Sequence, residues 1–311
     1  SAMGMQCLLN EILNRLTNNY YLNKGYHMRV LSILFTLIFS LSIYAEPLEN
    51  AQLKFKIPLA KESTTRPMTV AYIPVEKKYY IGDGGLAPLG LEPFSKSEVH
   101  VFDEEGVYIK SFNPGFDNRS IYFNDNTKSL ETVTYNVSSA AGFYPNTGIF
   151  KIELDDKGLP NNRSTTISGF SETFGSAGTM PTYDAKNNVY YAKQEKSNVV
   201  RVIDASSNEI KSEIKLDITA AGAEHHDITD HYVAFSGKKD HELVLLDVDH
   251  KKFLTFDLKG NFKGASNLPK DLKVRAKNHF NGLGYTINGY FFLFIDSEGE
   301  FGTYHAYKVL D

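Results

Sequence analysis

Thr182-Tyr183-Asp184, Asn188-Val189-Tyr190-Tyr191, the run Asn198-Val199-Val200-Arg201-Val202-Ile203-Asp204 and the run Glu209 to Leu216 follow one another with short polar breaks between them. Each run is β-branched or aromatic, and apolar and polar positions tend to alternate. That is the period of a half-buried strand and not of a helix. Four such runs in succession make one antiparallel unit. A second unit reads as His226-Asp227-Ile228, His231-Tyr232-Val233-Ala234-Phe235, Glu242 to Asp247 and Phe253 to Leu258. Beyond residue 46 no stretch sustains a helical period, so the expected fold class is all-β.

One step recurs outward from these units: a strand ends in aspartate and enters a turn. It stands at Asp103 before Glu104-Glu105-Gly106, at Asp155 before Asp156-Lys157-Gly158, at Asp204, at Asp247, and at Asp296 before Ser297-Glu298-Gly299. A carboxylate there accepts turn N–H groups, while Gly or Asn supplies a positive φ. Intervals of about 40–50 residues with four strands each mark a β-propeller. We expect a single propeller of five blades, roughly 67–115, 116–172, 178–222, 223–272 and 273–311, with six shorter blades as the alternative. The last unit holds three strands (279–287, 289–296 and 303–310). The segment Leu53 to Leu59 is expected to add the fourth as an outermost strand and so close the ring. Pro58 is tolerable there because an outermost strand leaves one side unpaired. The strand–aspartate step resembles the NHL and YVTN-type propeller repeats over most of 67–311.

The N-terminal part reads differently. Residues 1–4 read as a cloning scar and 5–27 as a polar extension ahead of a start at Met28. Met28-Arg29, the apolar run Val30 to Ile43 and Ala45 form a signal-peptide pattern over 28–45. The apolar run is shorter than the roughly 20 residues of a membrane span. We therefore expect a domain over 46–311, exported to the periplasm or secreted, with no membrane anchor after cleavage. An uncleaved anchor is the rival reading.

Composition narrows the function. The 311 residues carry 33 Lys plus Arg against 37 Asp plus Glu, a net charge of −4, so the basic excess of a nucleic-acid binder is missing. One cysteine, Cys7, excludes a disulfide framework and any cysteine-built metal site. A monomer is expected, with a small molecule or another protein as partner.

In a propeller the starts of the inner strands surround one mouth of the central channel, so residues far apart in sequence converge there. The ligand-binding candidates at these points are Arg66, Asn118, Arg119, Glu224 and His225, the arginines being suited to a carboxylate or phosphate. The metal candidates are His226, Asp227, His279 and Asn281. Imidazole with carboxylate suits Zn, and an oxygen set suits Ca. In an extended strand His225 and His226 face opposite sides, so only one points inward. The plain alternative is a set of loop residues bonding the backbone. Gly82-Asp83-Gly84-Gly85 is no phosphate loop, because no helix or Lys-Ser/Thr follows. It reads as a strand-end turn opening the long loop Leu86–Lys96, a candidate lid. Two functions follow. One is an exported binding or scaffold module. The other is a metal-dependent hydrolase that resembles the gluconolactonase type of propeller. That resemblance implies Asn118, Asp227 and Asn281 as ligands of a cation polarising a lactone or ester carbonyl. Its ligand set does not match residue by residue. Whether the protein is an enzyme stays open.

Overall fold

The computed structural model describes residues 48–62, 66–84, 97–114, 118–134, 148–169, 172–176, 178–276 and 283–310. The leader and extension readings fall outside these residues. Among them no α-helix forms. The strands are β1 (Gln52–Pro58), β2 (Arg66–Ile73), β3 (Lys78–Gly84), β4 (Val99–Asp103), β5 (Tyr108–Phe112), β6 (Ser120–Asn124), β7 (Ser129–Thr134), β8 (Gly148–Leu154), β9 (Pro160–Gly169) and β10 (Thr182–Asp184). There follow β11 (Val189–Lys193), β12 (Val199–Asp204), β13 (Ile210–Lys215), β14 (Ala234–Phe235), β15 (Leu243–Asp247), β16 (Lys252–Phe256), β17 (Phe262–Asn267), β18 (Gly284–Tyr285), β19 (Phe291–Ile295) and β20 (Thr303–Lys308).

They pair into five four-stranded sheets, β2 to β5, β6 to β9, β10 to β13, β14 to β17, and β18-β19-β20-β1. The protein is a five-bladed β-propeller. Each blade's first strand touches that of the next, and β18 returns to β2. The fifth blade takes its outermost strand from the N-terminal end of the domain. β1 runs antiparallel to β20, from Gln52 opposite Lys308 to Pro58 opposite Thr303.

A sheet buried on both faces needs apolar cover on both, and here each blade supplies it to its neighbour. Five core clusters result, one at each interface. Ile57, Tyr79, Phe292 and Tyr304 join the fifth blade to the first. Val101, Leu130 and Phe150 join the first to the second, and Tyr122, Val133, Tyr190 and Ile203 the second to the third. Val200, Ile214, Leu243 and Phe256 join the third to the fourth, and Val244, Phe253, Phe291 and Tyr307 the fourth to the fifth.

The aspartate step works as expected in three blades. Asp103 Oδ1 accepts the N–H of Glu105 at 3.1 Å and of Val107 at 2.7 Å, and Asp155 Oδ1 accepts those of Lys157 and Leu159, both at 2.9 Å. Asp204 likewise accepts Ser206 and Ser207 at 2.9 and 3.1 Å. In the fourth blade the expected assignment is off by one strand. Residues 225–227 form a turn and the inner strand begins only at Ala234, so β15, which ends at Asp247, is the second strand. The physical cause is local: Asp227 N donates to Glu224 O at 3.0 Å, and Asp227 Oδ2 accepts Glu224 N at 2.7 Å, which closes the backbone on itself. The true counterpart of Asp103 there is Asp257, which accepts Lys259 N and Asn261 N at 2.9 Å. Gly106, Gly158 and Gly260 follow these aspartates at φ of 81°, 69° and 87°, a region that favours glycine. Asp296 also follows a second strand, β19.

Ring closure rests on Ile57, which is fully buried between the first and last blades. Ile57→Ala should cost about 2–4 kcal/mol in urea unfolding, the usual loss for a buried branched side chain. Leu53→Ala on the same strand, 43% exposed, should cost under about 1 kcal/mol.

Candidate functional site

The five inner strands end in one repeated feature. Tyr72, Phe123, Tyr183, Phe235 and Tyr285 occupy the last or next-to-last position of β2, β6, β10, β14 and β18. Across each hairpin they pair with Tyr79, Leu130, Tyr190, Leu243 and Phe291. All five line one cavity of about 670 Å³ on the propeller axis. Val70, Ile121 and Tyr232 reach its deeper wall. Rings behind the wall hold it in place: Tyr72 lies 4.7 Å from Tyr79, Tyr183 5.2 Å from Tyr190, Phe235 5.3 Å from Tyr191 and Tyr285 5.0 Å from Phe291, centroid to centroid. Burial raises the phenol pKa of Tyr72, Tyr183 and Tyr285 above the ordinary tyrosine value, so all three hydroxyls are neutral near pH 7, and that of Tyr183 donates to Asn188 Oδ1 at 2.9 Å. The cavity opens where the first hairpins of the second to fifth blades turn. That is the mouth opposite the one expected from the strand starts.

At the strand-start mouth two of the expected residues, Asn118 and Arg119, are buried. Asn118 is fully buried, and its backbone N and Nδ2 donate to Ser97 Oγ at 3.0 and 2.9 Å, tying the second blade to the first. Arg119 is 2% exposed, and its backbone N donates to Val133 O. Arg66 opens β2 opposite Gly84, and its side chain lies outside the described residues, as do His279 and Asn281. Glu224, His225 and His226 are exposed around one turn, and Asp227 beside them is buried. His226 Nδ1 stands 3.3 Å from Glu224 Oε2, and Nε2 stands 3.4 Å from Asp227 Oδ1. The opposed faces expected of His225 and His226 do not arise, because the segment is a turn and not a strand. Asn118 and Asp227 have no bonding partner in common: the first bonds Ser97 and Glu98, the second Glu224 and Val248.

Two further groups emerge from the fold. Lys193, at the end of β11, is fully buried, and its Nζ donates to Asp230 O at 3.1 Å and Gln194 O at 3.4 Å. Burial pulls its pKa down to about 8, against the pull of Asp230 and Glu195. Burial also lowers the pKa of nearby His231, with Lys193 and Arg119 adding to the effect. The other group is Asp83, Glu98 and His100, whose ligand atoms lie within 4.8 Å of one another and could hold a metal ion. His100 Nε2 lies 2.8 Å from Asp83 Oδ2 and Nδ1 lies 2.7 Å from Ser111 Oγ, while Lys61 pairs with Glu98 at 2.7 Å. The legible signal was Glu98-Val99-His100, which places acid and imidazole on one face of a strand. Asp83 was hidden in what reads as a plain turn.

No family model matches the chain, and no curated protein matches its sequence. Among solved structures it is similar to the glutaminyl cyclase of Myxococcus xanthus, at 9% identity and a TM-score of 0.49, covering 86% of this chain and 100% of that one. It is similar to a protein of unknown function from Bacteroides caccae at 12% identity and a TM-score of 0.40, over 75% and 71% of the two chains. It also resembles Chaetomium thermophilum Raptor at 9% identity and a TM-score of 0.43, over 85% of this chain and 29% of that one. At such values no activity carries over, and the five blades rest on the strand pairing itself.

Lys193 gives a pH signature. Its folded pKa lies below the unfolded 10.5, so burying the ammonium costs stability below pH 8, and that cost fades as pH rises from 8 to 10.5. In urea unfolding, wild type should gain on the order of 2–3 kcal/mol relative to Lys193→Met across that window. A constant difference would show that the amine is not held near pH 8.

Proposed function

We propose that this propeller is a binding module whose ligand, a small organic molecule, seats in the axial cavity. The observation that carries the reading is the convergence of one aromatic side chain from each of five blades on a single cavity. About 670 Å³ falls within the roughly 300–1,000 Å³ of small-molecule sites. Aromatic walls contribute contact area at little entropic cost, because their own packing already fixes the rings. The strand–aspartate steps at Asp103, Asp155 and Asp204 support reading the blades as NHL/YVTN-type. With 28–45 read as an export leader, the module acts in the periplasm or outside the cell, as a monomer. The mass of the protein recovered from expressing cells tests this part: a chain beginning at residue 46 supports it and an uncleaved chain contradicts it.

The neutral fluorophore N-phenyl-1-naphthylamine probes the cavity. Titration should show one saturable site. Phe235→Ser should weaken it about tenfold, and Ala185→Trp, which fills the mouth without touching the core, should abolish it. Unsaturable binding, or binding indifferent to both changes, contradicts the reading.

A second reading, metal-assisted hydrolysis of a lactone or ester, is supported by the Asp83, Glu98 and His100 group. Zn or Ca should then bind chelator-treated protein at one equivalent, and Glu98→Gln should weaken it at least tenfold. Binding unchanged in Glu98→Gln but lost in His226→Ala would move the site to the 224–227 turn.

A further inference from the structure

The axial cavity has a charge pattern that narrows its ligand. Its mouth carries two carboxylates and two ammonium groups, from Asp125, Asp184, Lys186 and Lys238. The carboxylates are already engaged. Asp125 pairs with Lys128 at 2.5 Å. Asp184 is fully buried and turned into its own hairpin, where it accepts Asn187 N at 3.1 Å, Asn187 Nδ2 at 2.7 Å and the Tyr191 hydroxyl at 3.1 Å. Lys186 and Lys238 are exposed, and among the described residues no carboxylate lies within 4 Å of either ammonium. They come from equivalent places, the first hairpin turns of the third and fourth blades, beside Tyr183 and Phe235. Two unpaired cations on adjacent blades thus stand at the edge of an aromatic well that holds no charge of its own.

Resting on the reading of the cavity as the binding site, we propose that the ligand is an amphipathic organic anion. A flat apolar body stacks within the well against Tyr183, Phe235 and Tyr285. A single acid group, carboxylate, sulfonate or phosphate, meets Lys186 and Lys238 at the mouth. Each part needs the other. Lysines open to water hold a simple anion weakly, because the charges stay screened. The well gives an apolar body no orientation, and the two ammonium groups supply it. The tyrosine hydroxyls beside them are neutral and add no repelling charge, that of Tyr183 being already bonded to Asn188 Oδ1.

A matched pair of probes tests this. N-phenyl-1-naphthylamine and 8-anilino-1-naphthalenesulfonate share one ring system and differ by the sulfonate. In low salt the sulfonate should bind wild type about five- to tenfold tighter than the neutral amine, and the advantage should shrink as salt rises. In the double variant Lys186→Gln and Lys238→Gln the two affinities should converge, with the neutral probe unchanged. Equal affinities in wild type, or a sulfonate advantage that survives the double variant, would overturn the anion assignment and leave the cavity reading standing. Binding of neither probe would overturn both.

Discussion

The pairing of β1 with β20 is the constraint on which the rest depends. It brings residues 52–58 beside 303–308 and completes the fifth blade. Without it β20 would be a bare sheet edge, and the cluster around Ile57, Tyr79 and Tyr304 would lose one wall. Among the described residues every core cluster lies between neighbouring blades. The ring must therefore close for every blade to be covered on both faces. The closing strand tolerates Pro58 because its outer side has no partner to lose.

Closure also creates the axial cavity. A propeller superimposes equivalent positions of its blades around one axis, so a residue type repeated once per blade becomes a ring of side chains. Here the repeated type is an aromatic at the end of each inner strand. Hairpin pairing sets its register, and the rings of Tyr79, Tyr190, Tyr191 and Phe291 pack behind it. The opposite mouth is different in character. Asn118, Arg119 and Lys193 there are buried, and they bond backbone and neighbouring blades.

The all-β class, the five blades and the closing strand were legible because they rest on short-range signals: strand alternation, Asp-led turns and an unpaired apolar segment near the domain start. The aspartate step misled where one carboxylate can serve two kinds of hairpin. Asp247 caps the second strand of its blade, and Asp257 is the counterpart of Asp103. Side-chain commitments were not legible. Glu224-His225-His226-Asp227 has the composition of a metal site, yet its backbone closes into a turn that engages Asp227. The aromatic ring stood in the sequence at Tyr72, Phe123, Tyr183, Phe235 and Tyr285. Reading it required the strand ends and not the strand starts, and the fourth blade's register hid Phe235's equivalence. Lys193 gave no signal, since only tertiary packing buries it.

The most direct measurement is a crystal structure of the protein grown with 8-anilino-1-naphthalenesulfonate. The naphthalene ring should lie inside the axial cavity, against Phe235 and Tyr285, with its sulfonate toward Lys186 and Lys238. A probe bound elsewhere, at the strand-start mouth or against the 224–227 turn, with the five aromatics facing an empty cavity, would contradict it.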